Sequence, residues 1–401
     1  MGDPGISNGN GHSHSHSSLP HKNDPHVYLV EATEEENLAQ QVANSSEWKG
    51  ILTTLDSYLR REHMLANQDL TKDGAQTSWV LVYQPPGSPS RQVLCGCETI
   101  RKMALVGRNG KVEEEVSHAV GSVFCPPAKR GKGYAGRMIK ELGEKLRHWQ
   151  PQNGKSPMFS TLYSDIGRDF YAAHAWHPFP SAHVTLPALS SVADGLPPVR
   201  LLQSEDLPEL CDIDEQMTRA RLSRAKHTPA VAIRPNYPIV QWHHAREEYI
   251  GREVFDRIPR IKGAVVGEAG SRVWCYWTHV WTNAQEDAPN TLHILRLVIE
   301  DEAFSDFAPA TPEAAAEKKG TPLSQAIAAL FAAAQSEAAS WGMREVLLWN
   351  PTSTALAAAQ LLDGKAAVEH RQKESIASLR WYGEGSWEDV DWICNEKYGW
   401  S

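Results

Sequence analysis

Residues 125–142 read CPPAKRGKGYAGRMIKEL, and this segment decides between two folds. Its glycines satisfy the pattern G-x-G-x-x-G from Gly131 onward, and R-x-x-G-x-A runs from Arg130 to Ala135. Both patterns bring a phosphate group to the N-terminus of a helix, where unpaired backbone N–H groups and the helix dipole favour an anion. Because the two patterns belong to different folds, the residues before the loop have to discriminate between them.

The segment before the loop argues against a dinucleotide-binding fold. In that fold the first strand leads almost directly into the first glycine. Here the apolar strand ends at Cys125, and Pro126 and Pro127 interrupt the backbone ladder before Gly131 is reached. Asp165, which follows the next predicted strand, is the one feature that fits the alternative, as a ribose-binding acid. We therefore interpret the segment as the second pattern, a pyrophosphate loop for coenzyme A.

The loop has the composition that a pyrophosphate requires. Small residues let the backbone approach phosphate oxygens, and cations beside them add positive charge. An ordinary strand-to-helix turn would not explain why three small residues and two cations share six positions. The residues predicted to bind are Arg130, Gly131, Lys132, Gly133, Tyr134 and Ala135.

The bulk composition limits the possible functions. The chain has 401 residues, of which 41% are hydrophobic and 22% are charged, enough for two globular domains. A net charge of −9 argues against a nucleic-acid partner. The sequence has no apolar run suited to a membrane span or a signal peptide. Six cysteines without a C-x-x-C pair predict free thiols in a cytoplasmic protein, and no metal site is predicted.

The order of predicted elements occurs twice. Residues 1–25 are rich in Gly, Ser, His and Pro and predict a disordered tail. Residues 26–190 predict strands, helices, the loop, a helix, a strand and a short helix, and residues 198–401 repeat this order without R-x-x-G-x-A. We expect an α/β (α+β) protein with two related domains, each a mixed, mostly antiparallel sheet with flanking helices. The C-terminal domain, being degenerate, should close the substrate site.

Individual elements follow from hydrophobic periodicity. Residues 34–64 predict one long helical stretch, and a short helix is expected at residues 167–176. The aromatic strand with Trp274, Tyr276, Trp277 and Trp281 either lines a pocket or fills a core. Further predicted strands cover residues 78–84, 92–105, 115–125 and 158–164, and a helix covers 134–148.

Several segments resemble the GNAT superfamily of acetyl-CoA-dependent N-acetyltransferases. Residues 123–142 match its pyrophosphate-loop motif, and LYSDIGRDFYAAHAW at 162–176 resembles its last strand-and-helix motif. That motif commonly ends in F-Y-x-x-x-G-F, from which this chain departs at Ala175 and Trp176. The same segments, with CETIRKMAL at 97–105 and WICNEKYGW at 392–400, resemble the fungal lysine N-epsilon-acetyltransferase family across both predicted domains.

The resemblance implies how acetyl-CoA would bind and react. In this superfamily the strand before the loop separates from its neighbour, and its free backbone groups hold the acetyl end and the pantetheine arm. By resemblance Tyr171 is the general acid that protonates the leaving thiolate, a role that suits a phenol. The backbone groups would belong to Ser122, Val123, Phe124 and Cys125.

The general base and the substrate contacts are less determined. Glu98 lies within an apolar strand, where a carboxylate is rare unless it is paired or has a function. It could accept the ammonium proton through water, hold the substrate's charge, or pair with Arg101. His118 is the second candidate base, and a surface histidine is the alternative. Asp165 could bind the substrate amine or cap a helix that starts at Ile166, and Arg101 could bind a carboxylate.

Two other mechanisms remain open. An acetyl-Cys intermediate at Cys125 would require an activated thiolate, which a buried strand thiol rarely is, so direct transfer is preferred. A related class of two-domain acyltransferases uses its C-terminal carboxylate as the base, and Ser401 could act in this way or be an ordinary surface end.

The predicted function is transfer of an acetyl group to the primary amine of a small molecule, with L-lysine as the first candidate. The alternatives are a protein lysine acetyltransferase, an acetyltransferase for a specialised-metabolite or xenobiotic amine, and a coenzyme A-binding regulator without turnover. The intact loop and Tyr171 argue against the regulator.

Overall fold

The computed structural model describes residues 19–190, 195–226, 228–282 and 288–401. Residues 1–18 of the predicted tail, including the His-Ser run, and residues 191–194 of the predicted linker lie outside the described residues. The 19–25 part of the predicted tail is packed on the protein, as described with the site below.

The first half of the chain contains the predicted order of strands and helices. Its elements are β1 (Val27–Glu31), α1 (Glu34–Trp48), α2 (Leu55–Ala66), β2 (Gln76–Tyr83), β3 (Gln92–Arg108), β4 (Lys111–Phe124), α3 (Tyr134–Leu146), β5 (Phe159–Ser164), α4 (Asp169–Ala172), β6 (His177–Pro178) and β7 (Ala182–Pro187).

The second half repeats this order with additions. Its elements are β8 (Arg200–Leu202), α5 (Leu207–Leu222), β9 (Ala230–Ile233), α6 (Tyr237–Phe255), β10 (Gly263–Val266), β11 (Val273–Val280), β12 (Thr291–Ile299), α7 (Pro312–Lys318), α8 (Pro322–Ser340), β13 (Glu345–Trp349), α9 (Ser353–Leu362), β14 (Glu369–His370), β15 (Ile376–Trp381) and β16 (Asp391–Trp392).

The long helix predicted over residues 34–64 is two helices. Gly50 adopts a left-handed conformation with φ 61°, which an α-helix cannot continue through. Thr54 then starts α2, because its hydroxyl accepts a hydrogen bond from the Ser57 backbone N–H at 3.1 Å. The break lets α1 and α2 pack at an angle, and Tyr58 and Arg61 of α2 turn toward the interior.

Two mixed sheets confirm the predicted fold class. The first sheet has the strand order β1-β2-β3-β4-β5-β15-β6, with β9 on β3 and β16 on β9. The second has the order β14-β7-β13-β12-β11-β10-β8. In both sheets an antiparallel run leads into a parallel pair, β4 with β5 and β12 with β13, followed by an antiparallel strand. The first sheet also contains the parallel pair β9 with β16. The repeated order in the sequence therefore corresponds to a repeated topology.

The two halves exchange strands: the C-terminal half contributes β9, β15 and β16 to the first sheet, and the N-terminal half contributes β7 to the second. β15 comes from the C-terminal half and pairs with β5 along Ile376–Ser164 to Trp381–Phe159 in the first sheet. β7 comes from the N-terminal half and pairs with β13 in the second sheet. The predicted boundary at residue 190 therefore does not separate the two sheets, because each sheet contains strands from both sides of it. The order of elements along the chain does not contain this information.

Both sheets are covered by helices whose buried faces match the sequence pattern. On α3, Met138, Ile139, Leu142 and Leu146 are fully buried against the first sheet. α8 is rich in alanine, and these small side chains let it pack closely on α9 and the second sheet. The four aromatic residues Trp274, Tyr276, Trp277 and Trp281 are buried in the cores rather than lining a pocket, so the core interpretation is the correct one.

Three further observations concern the described residues only. No helix among them combines the length and the hydropathy that crossing a bilayer would require. All six cysteines carry free thiols. No cluster of three or more His, Cys, Asp or Glu side chains with the arrangement of a metal site occurs in these parts of the chain.

The contact between α3 and the exchanged strand β15 gives a stability prediction. A Cβ added at Gly143 of α3 would collide with the guanidinium of Arg380 on β15 and come within 2.8 Å of the Trp176 ring. We expect Gly143→Ala to lower the free energy of unfolding by about 1–3 kcal/mol, as overpacking does. Urea denaturation measures this change.

The sign of the effect makes the test specific. Replacing glycine by alanine inside a helix ordinarily stabilises by roughly 0.5–1 kcal/mol. The exposed Gly364, whose added Cβ would meet nothing within 4 Å, is the matched control, and Gly364→Ala should change little. A stabilising Gly143→Ala would contradict the packing of β15 against α3.

Candidate active site

The end of β4 leaves β5 and forms a bulge against β3, with which it pairs again at Phe124. Glu98 of β3 pairs with Gly121 and Gly96 pairs with Phe124, so β4 uses one more residue than β3 over this interval and forms a bulge. Ser122 lies in the bulge with φ 51°, a conformation that residues other than glycine rarely adopt. The parallel pairing with β5 ends at Val120. The predicted segment 122–125 therefore has a free backbone edge facing an opening in the sheet.

The loop after β4 has the geometry of an anion site. Gly131 and Gly133 have φ 75° and 80°, and Gly133 directly precedes α3. No side chain caps the N-terminus of this 13-residue helix, so its first backbone N–H groups remain available to a ligand. A Cβ at Gly131 would meet nothing within 4 Å, which leaves open space above the loop. This arrangement fits a pyrophosphate.

The basic residues of the loop have different surroundings. The Arg130 Nε donates to the Cys125 carbonyl at 2.9 Å, and its guanidinium lies 5.6 Å from the centre of the Phe124 ring. Lys132 is exposed beside the glycines. Arg130 is thus folded back toward Cys125, where the open segment 122–125 ends.

Residues 19–26 cross the loop, although the sequence predicted disorder up to residue 25. The Tyr134 hydroxyl donates to the Pro20 carbonyl at 2.5 Å, and Arg137 donates to the Lys22 carbonyl at 2.8 Å. The side chain of Lys22 lies over Gly133, 2.6 Å from the position that a Cβ would take there. Contacts with α3 hold this segment in place. The disorder was predicted from amino-acid composition, which contains no information on such contacts.

Tyr171 is buried on α4, in the same hydrophobic cluster as Cys97 of β3 and Val120 of β4. Its ring is perpendicular to that of Phe170, with 4.9 Å between the centroids. Burial raises the pKa of the phenol above its ordinary value, and the nearby Cys97 and Asp165 raise it further. Tyr171 therefore keeps its proton at neutral pH, as a general acid must.

Glu98 lies on the other side of the sheet, next to the bulge. Burial raises the pKa of its carboxyl to about 7, and the negative charge of Glu62 acts in the same direction. Hydrogen bonding with Ser122 and Gln76 opposes this increase. A carboxyl group that is half ionised near neutral pH can both accept and release a proton.

His118 and Arg101 point away from Glu98. Side chains alternate along a strand, so Arg101 lies on the α3 side, opposite its partner His118 on β4. His118 is completely buried with its Nε2 3.3 Å from Gln150 Oε1, and burial lowers its pKa to about 4. The face of His118 follows from the register of β4 against β3, and neither residue joins Glu98.

Asp165 has a structural contact. It is exposed, and its Oδ1 accepts a hydrogen bond from the Ser375 backbone N–H at 2.9 Å, immediately before β15. The helix after β5 begins at Asp169 rather than at Ile166, so Asp165 does not cap it. It instead fixes the start of the exchanged strand.

The last residues of the chain cover the face of β3 that carries Glu98. The buried Lys102 Nζ donates to the Gly399 carbonyl at 2.8 Å, and burial lowers the pKa of this amine to about 7. A Cβ at Gly121 would lie 3.3 Å from the Ser401 carbonyl oxygen. Ser401 is therefore near the bulge, whereas the prediction that its carboxylate is the base stays a prediction.

Sequence reasoning missed several charged residues on this face. Lys102 could have been found, because it stands within the same apolar run as Glu98. Arg61 could have been found as well, because it falls on the apolar face of α2 between Tyr58 and Leu65. Arg246 on α6 and Lys397 in the last segment carry no such signal, because only tertiary packing brings them here.

The corresponding opening in the second sheet is closed by the chain itself. The pairing of β12 with β13 ends at Ile294, and the Leu297 N–H beyond it donates to Glu396 Oε2 at 3.0 Å. A cavity of about 500 Å³ remains beside this strand end, lined in part by Phe304 and Trp392, and it is separate from the Glu98 face. The second copy therefore has neither the loop nor the free strand edge of the first.

Comparison with known proteins agrees with this geometry. The family model described as LYC1 GNAT-like C-terminal domain matches residues 183–401, more than half of the chain, and its first residue falls in the exchanged strand β7. A protein of Yarrowia lipolytica named lysine acetyltransferase is 24% identical over 282 residues, which cover 60% of this chain and 69% of that protein.

Two other similarities extend over more of the chain. An uncharacterized protein of Saccharomyces cerevisiae is 24% identical over 410 residues, covering 90% of this chain and 94% of its own. The structure of a GCN5-related N-acetyltransferase from Anabaena variabilis shares the fold, with a TM-score of 0.50 at 12% identity over 89% of this chain and 73% of that one. The chain therefore belongs to the LYC1-like family of GNAT proteins, and it is an acyltransferase of the N-acetyltransferase type.

Proposed function

We propose that this protein transfers the acetyl group of acetyl-CoA to the primary amine of a small molecule, with L-lysine as the first candidate. The observation that carries the proposal is the β4 bulge, which places an open strand edge, a glycine loop and a carboxyl group of near-neutral pKa around one opening. The name of the Yarrowia lipolytica relative supports lysine as the acceptor.

The loop and the strand edge would hold the acetyl donor. The backbone N–H groups at the start of α3 and the side chains of Arg130 and Lys132 suit the pyrophosphate, and residues 122–125 suit the pantetheine arm. Acetyl-CoA supplies a thioester whose carbonyl becomes negatively charged during attack. A free backbone N–H of the bulge would stabilise that charge.

Glu98 is proposed as the base. A substrate amine arrives as an ammonium ion with a pKa near ~10, so it must lose a proton before it can attack. A carboxylate of pKa about 7 can accept this proton directly or through water at physiological pH. His118 is not part of the proposal, since it faces the other side of the sheet.

Tyr171 is proposed as the acid. Its phenol is protonated at neutral pH, so it can donate to the thiolate that leaves. In this mechanism the acid and the base would act from opposite faces of the first sheet, because Tyr171 lies near Cys97 and the adjacent Glu98 faces the other way. An acetyl-Cys intermediate is not favoured, because burial raises the pKa of the Cys125 thiol and so reduces its thiolate fraction.

A panel of amines tests the function. Thiol release from acetyl-CoA is measured with L-lysine, ornithine, a lysine-containing peptide and an aromatic amine. We expect L-lysine to have the highest kcat/KM. A peptide that exceeds free lysine by more than about tenfold, or ~1.4 kcal/mol in transition-state binding, would instead establish a protein acetyltransferase.

A donor-site variant is the control for this panel. Gly133→Asp places a carboxylate in the predicted pyrophosphate site and should abolish thiol release with every amine. Gly154 has a similar φ of 76° in open surroundings, so Gly154→Asp matches the backbone strain and should remain active.

The role of Glu98 predicts a pH profile. The carboxylate form is the active base, so kcat/KM should rise with pH and level off above an apparent pKa near 7. Glu98→Gln should lower kcat by roughly 10²–10⁴ and remove this rise. If the rise persists in the variant, Glu98 is not the titrating group, and Lys102 and Lys397, whose pKa values burial also lowers to about 7, become the candidates.

Stability gives an independent measurement of the same group. With a pKa raised from its ordinary value, Glu98 holds a proton in the folded protein at pH values where the unfolded chain has lost it. The contribution of Glu98 therefore lowers the free energy of unfolding progressively as pH rises from 4.5 to about 7, and this destabilisation is constant above that pH. Glu98→Gln should be more stable than the wild type at pH 8, with the difference vanishing below about pH 4.5.

Tyr171→Phe isolates the proton donor. The ring and its packing against Phe170 are kept, and only the hydroxyl is lost. We expect kcat to fall by roughly 10²–10⁴ while acetyl-CoA affinity, measured by calorimetry, stays the same. Unchanged turnover under conditions where chemistry limits the rate would show that another group protonates the thiolate.

A further inference from the structure

The Glu98 face carries more charge than its burial would lead one to expect. We use the name inner charge cluster for Arg61 and Glu62 of α2, Glu98 of β3, Arg246 of α6 and Lys397 of the last segment. Besides the effect of burial, the charge of Glu62 raises the pKa of Glu98. Arg61 lowers the pKa of Arg246 and Glu62 raises it. Arg246 in turn lowers the pKa of Lys397, so these charges are close neighbours. Charges are costly to bury unless each has a partner.

Arg61 and Glu62 partly satisfy each other. The Arg61 Nη2 lies 2.6 Å from Glu62 Oε1 and 3.0 Å from the Trp48 carbonyl oxygen, and the guanidinium lies 4.9 Å from the centre of the Tyr58 ring. Arg61 is only 3% exposed, yet its Nη1 has no hydrogen-bond partner among the described residues. One donor of this buried group is therefore left for a ligand.

Arg246 is held in place by its helix. One turn before it on α6, His243 faces the last segment, with its Nε2 3.2 Å from the Tyr398 carbonyl oxygen. One turn after it, the Tyr249 hydroxyl donates to the Ser57 carbonyl of α2 at 2.8 Å. Arg246 is thus fixed between the last segment and α2.

Arg246 has charged neighbours of both signs but no direct partner among the described residues. It makes no hydrogen bond or ion pair there, and it is half-buried near the positive charge of Arg61 and the negative charge of Glu62, which is already paired with Arg61. Burial lowers the pKa of its guanidinium to about 10, so it remains charged at neutral pH. Two neighbouring cations with unused donors indicate a place for an anion.

We propose that Arg246, assisted by the free Nη1 of Arg61, binds the carboxylate of a free amino-acid substrate whose distal amine reaches Glu98. This inference rests on the proposed acetyl transfer and names the substrate class that the site selects. A guanidinium offers two parallel N–H donors that match the two oxygens of a carboxylate. The same binding disfavours a lysine within a protein, because its carboxylate is part of a peptide bond.

Lys397 is the less suitable cation. Its Nζ lies 3.9 Å from the centre of the Trp400 ring and 4.7 Å from that of Trp349, so aromatic faces already surround it. Burial lowers its pKa to about 7, which leaves it partly neutral at physiological pH. The carboxylate contact is therefore assigned to Arg246.

The test compares substrates that differ by one group. L-lysine carries the carboxylate, cadaverine is lysine without it, and 6-aminohexanoate keeps the carboxylate but lacks the α-amine. Arg246→Met should lower kcat/KM for lysine and 6-aminohexanoate by roughly 10–100-fold, mainly through KM, and that for cadaverine by less than about threefold. Arg252→Met, at an exposed position of the same helix, is the matched control and should behave like the wild type.

The outcomes separate this inference from the proposed function. If Arg246→Met lowers kcat/KM equally for lysine and cadaverine, or lowers it for neither, the role of Arg246 is overturned while acetyl transfer remains intact. Lack of lysine acetylation by the wild type would overturn the proposed lysine substrate and this inference with it. If Arg246→Met does not fold, as judged by its melting transition, Arg246→Lys keeps the charge without the paired donors and should still lose roughly fivefold or more for lysine only.

Discussion

The extra residue in β4 is the constraint on which the site depends. Regular pairing on both sides would use every backbone group of the strand, and nothing would be left to hold an acyl donor. The left-handed Ser122 costs about 1–3 kcal/mol in an isolated residue, and pairing with β3 on either side of the bulge maintains it. The opening, the free edge and the position of Glu98 beside them all follow from this one irregularity.

The exchange of strands makes the two halves one structural unit. Because β15 completes the first sheet and β7 the second, neither sheet is continuous within its own half of the chain. The return of the chain to the first sheet also carries the last residues to Lys102 and Gly121, where they cover the Glu98 face. The second half lacks the loop and the free strand edge, and in the proposed mechanism it supplies Arg246 and Lys397 to the acceptor side.

Charge is divided between the two sides of the opening. On the donor side the cations and the positive helix end are exposed, which suits a ligand that brings several phosphates. On the proposed acceptor side the inner charge cluster is buried or half-buried, so its charges interact in a medium of lower dielectric constant than water. Burial and the negative charge of Glu62 together raise the pKa of the Glu98 carboxyl to about 7.

The sequence by itself determined the loop and the repeated order of elements, because these depend on local spacing. It predicted Glu98 as a polar residue in an apolar run, and it predicted Tyr171 only through the resemblance to the GNAT superfamily. The faces of the strands, the exchange of β7 and β15, and the positions of Arg61, Arg246 and Lys397 were decided only by the tertiary structure. His118 illustrates the limit, since its face relative to Glu98 depends on the register between β3 and β4. Arg101 is three residues from Glu98 on one strand, so alternation alone separates these two. A strand buried on both faces has no polar alternation in its sequence, so local pattern cannot tell one face from the other.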